Sequence, residues 1–149
     1  MAVPEAAQGI TAVVVTYNPD PEQLARLCQA VQPQVEHVVL VDNGSSAETL
    51  AALQALVEGP SSALTLLALG ENRGIGAAQN AGITLARQHG SRYVLLLDHD
   101  SIPEAGMVAT LRAAIEDQPA GSLPVAAAGP RYADARQTTS PSPFVQLEG

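Results

Sequence analysis

Short runs of β-branched and aliphatic residues alternate along this chain with stretches whose apolar residues recur every three or four positions. The strand-like runs cover residues 10–16, 38–41, 64–69 and 93–97. The first run is apolar almost throughout, which is typical of a strand buried on both faces. Because helix-like stretches separate the strands, the pattern predicts an α/β fold: a mostly parallel sheet with helices on both faces.

The same pattern locates the helices and one further strand. Asp20 is placed as the N-cap of the first helix, whose apolar face is predicted to consist of Leu24, Leu27, Cys28 and Val31. The second helix is expected to end at Gly59-Pro60 and the third to cover about residues 75–89. A fourth is expected to open at Pro103 and Glu104. Residues 125–128 are predicted to form a short fifth strand.

The length of 149 residues suits one domain with one core. The composition changes near the end of the chain, because the segment after Gly129 is rich in Ser, Thr and Pro and has little periodicity. We therefore predict an organised domain over residues 1–130. Residues 131–149 are expected to be an irregular tail or the start of a further half.

The charge balance excludes several classes of protein. All seven basic residues are arginine, against 15 acidic residues, so the formal net charge is −8. Without lysine there is no Walker phosphate loop, and the acidity argues against nucleic acid as a partner. Any phosphate ligand would therefore need positive charge from another source.

Cysteine content and hydropathy indicate the compartment. A single cysteine excludes an intrachain disulfide framework and a cysteine-cluster zinc site. No apolar run approaches the ~20 residues needed to cross a bilayer, and no signal peptide is evident. The expected location is the cytoplasm, including the inner face of the membrane.

Polar residues follow each predicted strand, in the segments 16–18, 42–45, 72–74 and 98–100. Parallel strands end at the same edge of a sheet, where ligands of such folds bind. One Asp-Asn-Gly segment alone is most often a turn. Four polar segments at four successive strand ends favour a binding site.

Asp98-His99-Asp100 is the most specific of these segments. Two carboxylates this close repel each other unless a cation or a shifted pKa relieves the repulsion. They either bind a hard divalent cation, Mg²⁺ or Mn²⁺, or are solvated acids that cap the following helix. His99 is left unassigned, and His37 and His89 are expected at the surface or a strand edge, with nothing nearby in sequence to make them ligands.

The glycines after the third strand do not match the dinucleotide-binding pattern, because Gln79 stands where the third glycine is required. Small residues at positions 74, 76–78, 81 and 82 instead allow a helix to approach either a ligand or the sheet closely. Arg73, which precedes this helix, could contact a diphosphate or only a neighbouring carboxylate.

Taken together, the segments Val14–Asn18, Val41–Ser45, Asn72–Ile75 with Asn80–Gly82, and Leu97–Ser101 resemble the family 2 glycosyltransferases. The Asp-x-Asp-Ser after the fourth strand is most similar to the rhamnosyltransferase group. The resemblance covers roughly residues 10–130. It implies a GT-A fold with a Rossmann-like sheet, a nucleotide-diphospho-sugar donor, a divalent cation and inverting transfer.

The resemblance also implies roles for individual residues. Those implied to bind the nucleotide-sugar are Thr16, Tyr17, Asn18, Asp42, Gly44, Ser45, Asn72, Arg73, Gly74, Asn80 and Asp98. Asp98 and Asp100 are implied to hold the metal, and Asp42 to hydrogen-bond a pyrimidine base. The implied donor is a dTDP-sugar, with dTDP-rhamnose first, or a UDP-sugar.

Family members are about twice as long, with the acceptor-binding half and the catalytic base after the fifth strand. We therefore expect this chain to be the donor-binding half of an incomplete fold, with its catalytic residues beyond it and little turnover alone. The implied acceptor is a saccharide or lipid-linked molecule in cell-surface polysaccharide synthesis. Self-association and peripheral membrane association of the full-length enzyme are further expectations.

Two alternatives belong to other functional classes. A phosphatase of the haloacid-dehalogenase type also carries Asp-x-Asp, but on its first strand and with a later lysine, and neither feature is found here. The other alternative is a non-catalytic module of the same fold that binds a nucleotide or a protein partner. Metal-dependent binding of one pyrimidine nucleotide would support the transferase, and no binding of any nucleotide would favour the module.

Overall fold

The computed structural model describes residues 5–59 and 63–130. Its strands are β1 (Ile10–Thr16), β2 (His37–Asp42), β3 (Leu64–Ala68) and β4 (Tyr93–Asp98). Its helices are α1 (Pro21–Val31), α2 (Ala47–Val57), α3 (Ile75–Gln88) and α4 (Met107–Glu116), with 3₁₀ turns at Glu5–Ala7 and Gln32–Gln34. The sheet order is β3-β2-β1-β4, and every neighbouring pair is parallel. The predicted α/β class and parallel sheet are confirmed.

Alternate positions of the sheet face two separate hydrophobic clusters. On one face, Val14 of β1 and Leu40 of β2 pack with the buried face of α1. On the other face, Val13 and Val41 pack with Ala78 of α3. The two central strands, β1 and β2, are thus covered on both sides, as the apolar sequence of β1 predicts.

The predicted first helix agrees with the structure in its start and its buried face. The Asp20 Oδ1 atom accepts a hydrogen bond from the Gln23 backbone N–H at 2.8 Å, and Pro21 occupies the first turn. Cys28 is buried with the rest of the predicted stripe, and this burial raises the pKa of its thiol to about 11. Cys28 is therefore a core residue rather than a reactive one.

The chain divides into two compact units, residues 1–109 and 110–149. The first contains the whole sheet and the helices α1 to α3. The predicted boundary at residue 130 coincides with the end of the described residues and stays a prediction, and residues 131–149 lie outside them. Within the described segments, no helix has the length and hydrophobicity needed to cross a membrane.

Two predictions about the chain after β4 are wrong. The fourth helix begins at Met107 rather than at Pro103, because Gly106 at φ +81° has a backbone conformation that a helix cannot include. Residues 125–128 form no strand. Three of these four residues are alanine, which has low β-propensity.

The two glycines inside α3 differ in their surroundings. A Cβ atom added to Gly82 would lie 2.4 Å from Cγ1 of Val13 in the sheet, whereas one added to Gly76 would meet nothing within 4 Å. Gly82 thus sets the distance between α3 and β1. We expect Gly82→Ala to destabilise the fold by about 1–3 kcal/mol through overpacking. Gly76→Ala in the same helix should stabilise it by about 0.5–1 kcal/mol.

Urea unfolding of both variants checks this difference in sign. If Gly82→Ala is as stable as the parent protein, α3 does not approach the sheet as closely as described.

Candidate functional site

The loops that follow the four strands meet at the carboxyl edge of the sheet. The sheet order reverses beside β1, which places a topological switch point between β1 and β4. Thr16 pairs with Asp42 in register, and Val15 pairs with Asp98. Asp42 and Asp98 are therefore two strands apart, at a spacing of about 10 Å.

Asp42 ends β2 and is only 1% exposed. Its Oδ2 accepts a hydrogen bond from the Ser45 backbone N–H at 3.2 Å. Its Oδ1 is the one buried side-chain polar atom without a hydrogen-bond partner among the described residues. Because an unsatisfied buried acceptor is costly, this oxygen fits a ligand N–H donor.

The loop after β1 is joined to the loop after β2 by two reciprocal hydrogen bonds. The Asn18 backbone N–H donates to Ser45 Oγ at 2.8 Å, and the Ser46 N–H donates to Asn18 Oδ1 at 2.9 Å. Asn18 adopts φ +43°, a conformation that Asn tolerates better than most residues. The neighbouring Tyr17 side chain is 50% exposed, so its ring is accessible to a planar ligand.

The loop after β2 is joined in turn to the loop after β3. Asn43 is 5% exposed; its Nδ2 donates to Asn72 Oδ1 at 3.1 Å and its Oδ1 accepts from the Arg73 N–H at 2.8 Å. Beside it, Gly44 adopts φ +86°, and an added Cβ would lie 2.5 Å from the Asn72 backbone nitrogen. These contacts hold the two loops against each other.

Arg73 is directed to a carboxylate of its own loop. Its Nε donates to Glu71 Oε1 at 3.2 Å, and both side chains are more than half exposed. Arg73 was expected to contact either a diphosphate or a neighbouring carboxylate, and in the structure it contacts the carboxylate of Glu71. α3 begins at Ile75, and its N-cap residue Gly74 provides no side-chain hydrogen bond to the N–H groups of the first turn.

Asp98 ends β4, on the other side of β1, and His99 and Asp100 follow it. The Nδ1 atom of His99 lies 3.3 Å from the Val15 carbonyl oxygen, and Gln23 Nε2 donates to the Asp100 carbonyl at 3.0 Å. These contacts fix the backbone of the segment to β1 and α1. The Asp98 and Asp100 side chains remain exposed.

Two exposed carboxylates are suitable oxygen ligands for Mg²⁺ or Mn²⁺. Over the described residues, no group of three or more His, Cys, Asp or Glu side chains could hold a metal ion. The chain therefore fits a cation that takes its other oxygen ligands from a phosphate ligand and water.

The structure thus brings most of the predicted site residues to one edge, and two differ in their surroundings. Thr16 is fully buried, with its hydroxyl donating to the Val41 carbonyl oxygen at 3.4 Å. Asn80 is exposed on α3, where its carbonyl oxygen accepts from the Thr84 hydroxyl. Their predicted ligand contacts stay predictions.

Two residues that position the site were missing from the predicted set. Asn43 lies inside the Asp-Asn-Gly segment, and this position was the sequence signal for it. Its hydrogen bond to the side-chain amide of Asn72 is visible only in the structure. Gln23 gave none, because its contact with the Asp100 carbonyl depends on how α1 packs beside β4.

Comparison with known proteins identifies the family. The family model described as "Glycosyl transferase family 2" matches residues 11–141. The chain belongs to glycosyltransferase family 2. The resemblance of its four motifs to this family is therefore confirmed.

Two relatives of this family 2 chain are informative. It is 38% identical over 92 residues to the dTDP-rhamnosyl transferase RfbF of Shigella flexneri, covering 62% of this chain and 29% of that protein. It also matches the mannosyltransferase PcManGT of Pyrobaculum calidifontis, solved with GDP-Man and Mn²⁺, with a TM-score of 0.62 and 25% identity. That match covers 76% of this chain and 34% of the other. The GT-A fold is confirmed, and the chain spans about a third of each relative.

Proposed function

We propose that this family 2 chain binds the nucleotide-diphospho-sugar donor of a glycosyltransferase, with dTDP-rhamnose the first candidate. The observation that carries the proposal is the buried Asp42 Oδ1 atom, which has no partner in the described structure and lies among three interlocked loops. The relative named as a dTDP-rhamnosyl transferase supports the choice of sugar.

The surroundings of Asp42 favour a pyrimidine base. Uracil and thymine each present one N–H on their pairing edge, which one carboxylate oxygen satisfies. Guanine presents two adjacent N–H groups, which suit both oxygens of a carboxylate, but Asp42 Oδ2 already accepts from Ser45. The accessible ring of Tyr17 adds a surface on which a base can stack.

The diphosphate would lie near Asp98 and Asp100, about 10 Å across the sheet edge from Asp42, with the ribose between them. Asp98 and Asp100 would hold the divalent cation, as the Mn²⁺ in the mannosyltransferase complex suggests by analogy. When bound, such a cation stabilises negative charge on the departing nucleoside diphosphate. The uncapped first turn of α3 offers backbone N–H donors to phosphate oxygens as well.

The residues of this chain then act by orientation. Asn18 and Asn43 hold the base-binding loops in place, and Gln23 holds the backbone that carries Asp100. Fixing the donor at both ends would leave its anomeric carbon open to an acceptor hydroxyl from the opposite face, which inverts the configuration. The base that removes the acceptor proton is expected outside this chain.

We propose a saccharide or lipid-linked acceptor, with polysaccharide synthesis at the cytoplasmic face of the membrane as the setting. Nothing in the described residues selects the acceptor, so this part of the proposal rests on the resemblance.

Isothermal titration of dTDP, UDP and GDP, with and without Mn²⁺, tests the proposal. We expect dTDP and UDP to bind in the presence of Mn²⁺ and GDP to bind at least roughly tenfold more weakly, which is 1.4 kcal/mol. Asp42→Asn should weaken dTDP binding by about 1–1.5 kcal/mol, because a hydrogen bond to a charged acceptor becomes a neutral one.

Glu48→Gln, at an exposed position in the first turn of α2, is the matched control and should leave dTDP affinity unchanged. Absence of binding for all three nucleotides would instead favour a non-catalytic, partner-binding module. Equal affinity for GDP and dTDP would contradict the proposed role of Asp42.

A further inference from the structure

The amino edge of the sheet, opposite the proposed donor site, brings together two histidines that are far apart in sequence. His37 begins β2, and His89 follows the last residue of α3. Their ring centroids lie 4.9 Å apart with an angle of 51° between the ring planes. Both were expected at the surface or a strand edge with nothing nearby in sequence to make them ligands, and it is the βαβ topology that brings them together.

Thr11 of β1 connects the two segments that carry the histidines. His37 is the register partner of Thr11. The Thr11 hydroxyl lies 2.7 Å from Ser91 Oγ, in the turn that ends α3. His89 thus lies just before Ser91, whose hydroxyl is hydrogen-bonded to Thr11, the residue that pairs with His37.

The end of α3 is itself well defined. The Gly90 N–H donates to the Arg87 carbonyl oxygen at 3.0 Å, and the Ser91 N–H donates to that of Ala86 at 3.1 Å. This pair of bonds is a Schellman motif, with Gly90 at φ +78° in the left-handed position. The backbones of both histidines are therefore positioned before any ligand binds.

The spacing of the rings suits one metal ion. Two imidazoles bound to one tetrahedral Zn²⁺ at about 2.0–2.1 Å have ring centres roughly 5 Å apart. The surroundings also favour positive charge. His89 is at the C-terminal end of a helix, and Glu36 Oε1 lies 4.0 Å from Nε2 of His37.

We propose that His37 and His89 form a two-imidazole site for a borderline transition-metal ion such as Zn²⁺, with water completing the coordination. In the described part of the chain, no third His, Cys, Asp or Glu joins the two histidines to form a metal-binding group. The site therefore holds the ion through two protein ligands. His37 is half-buried and His89 exposed, so the ion has access from solvent. Binding would connect the start of β2 to the end of α3.

Zn²⁺ titration by calorimetry tests the site in a chain that carries Asp98→Asn and Asp100→Asn. This background removes the carboxylates that could bind Zn²⁺ at the opposite edge. We expect one Zn²⁺ per chain at pH 7.5. His37→Gln and His89→Gln should each weaken the affinity by roughly tenfold or more.

His99→Asn is the matched control, since it removes the remaining histidine of the chain and should leave the Zn²⁺ affinity unchanged. Lowering the pH to 5.5 should also weaken binding, because protons compete with the metal ion for the imidazole nitrogens. Mg²⁺ should not compete, because it prefers oxygen ligands.

Thermal unfolding gives an independent measurement. Zn²⁺ should raise the midpoint of the background chain and have no such effect on the His89→Gln variant, whose substituted side chain is exposed. Unchanged Zn²⁺ affinity in either variant would overturn the proposal. A loss of affinity as large in His99→Asn would overturn it as well.

Discussion

Replacing Asp98 and Asp100 together by asparagine is expected to abolish the Mn²⁺ dependence of dTDP binding. In the parent protein, Mn²⁺ should raise dTDP affinity by roughly tenfold or more, since the cation offsets the repulsion between two carboxylates and the diphosphate. In the variant, dTDP should bind with the same affinity whether or not Mn²⁺ is present. Titration calorimetry with and without chelator measures both values.

The same variant should show an opposite change in metal-free solution. Each carboxylate repels a phosphate charge at 4 Å by about 1 kcal/mol in water, so removing two carboxylates should strengthen metal-free dTDP binding. A general loss of folding would weaken binding in both conditions instead. Glu48→Gln combined with Glu58→Gln is the charge-matched control, because it also removes two exposed carboxylates, one in the first turn of α2 and one just beyond its far end. If Mn²⁺ still strengthens binding in the double variant, Asp98 and Asp100 do not hold the metal.

Gly44→Ala is expected to damage both stability and dTDP binding. The left-handed φ of +86° alone costs an alanine about 1–2 kcal/mol. The added Cβ would also lie 2.5 Å from the backbone of residues 71 and 72, which cannot rotate away as a side chain can. The loops after β2 and β3 would then be forced apart at the bonds that Asn43 makes.

Gly70→Ala separates these two effects. Gly70 adopts φ +76°, but a Cβ there would meet nothing within 4 Å. This variant should therefore lose only the conformational cost and keep dTDP affinity, whereas Gly44→Ala should lose more stability and bind dTDP more weakly. Urea unfolding and calorimetry of the two variants test this. Equal losses would mean that the close approach of the loops is not needed for the site.

The sequence predicts a strand or a helix start correctly where one local pattern is enough to determine it. Apolar runs predicted the four strands, and Asp20 with Pro21 predicted the start of α1. Pro103 and Glu104 are residues typical of a first helical turn, so they predict a start of α4 four residues before the observed one at Met107. Gly106 prevents the earlier start. A positive φ at glycine ends the preceding turn there, and a glycine alone does not reveal its φ.

The site could be predicted as a set of residues but not as an arrangement. Parallel strands must end at one edge, so the clustering of Asp42 and Asp98 followed from the strand assignment. The unpartnered oxygen of Asp42 did not, because it depends on which backbone N–H reaches the other oxygen. Likewise, the proximity of His37 and His89 required the sheet order and register, which no local spacing contains.

The side-chain amide of Asn43 has a consequence for the chemical lifetime of this protein. Asn followed by Gly is the dipeptide in which a flexible chain most readily deamidates: the glycine backbone nitrogen attacks the side-chain carbonyl carbon, ammonia leaves as the succinimide forms, and water then opens the ring to aspartate or isoaspartate. In the folded protein both polar atoms of the Asn43 side chain are hydrogen-bonded and Gly44 is packed against the next loop, so the side chain is held away from this reaction. Each unfolding event releases it, and conversion to aspartate would place a carboxylate against the oxygen of Asn72. The loops would then refold without the hydrogen bond between residue 43 and Asn72, so damage at this position would accumulate with the time that the protein spends unfolded.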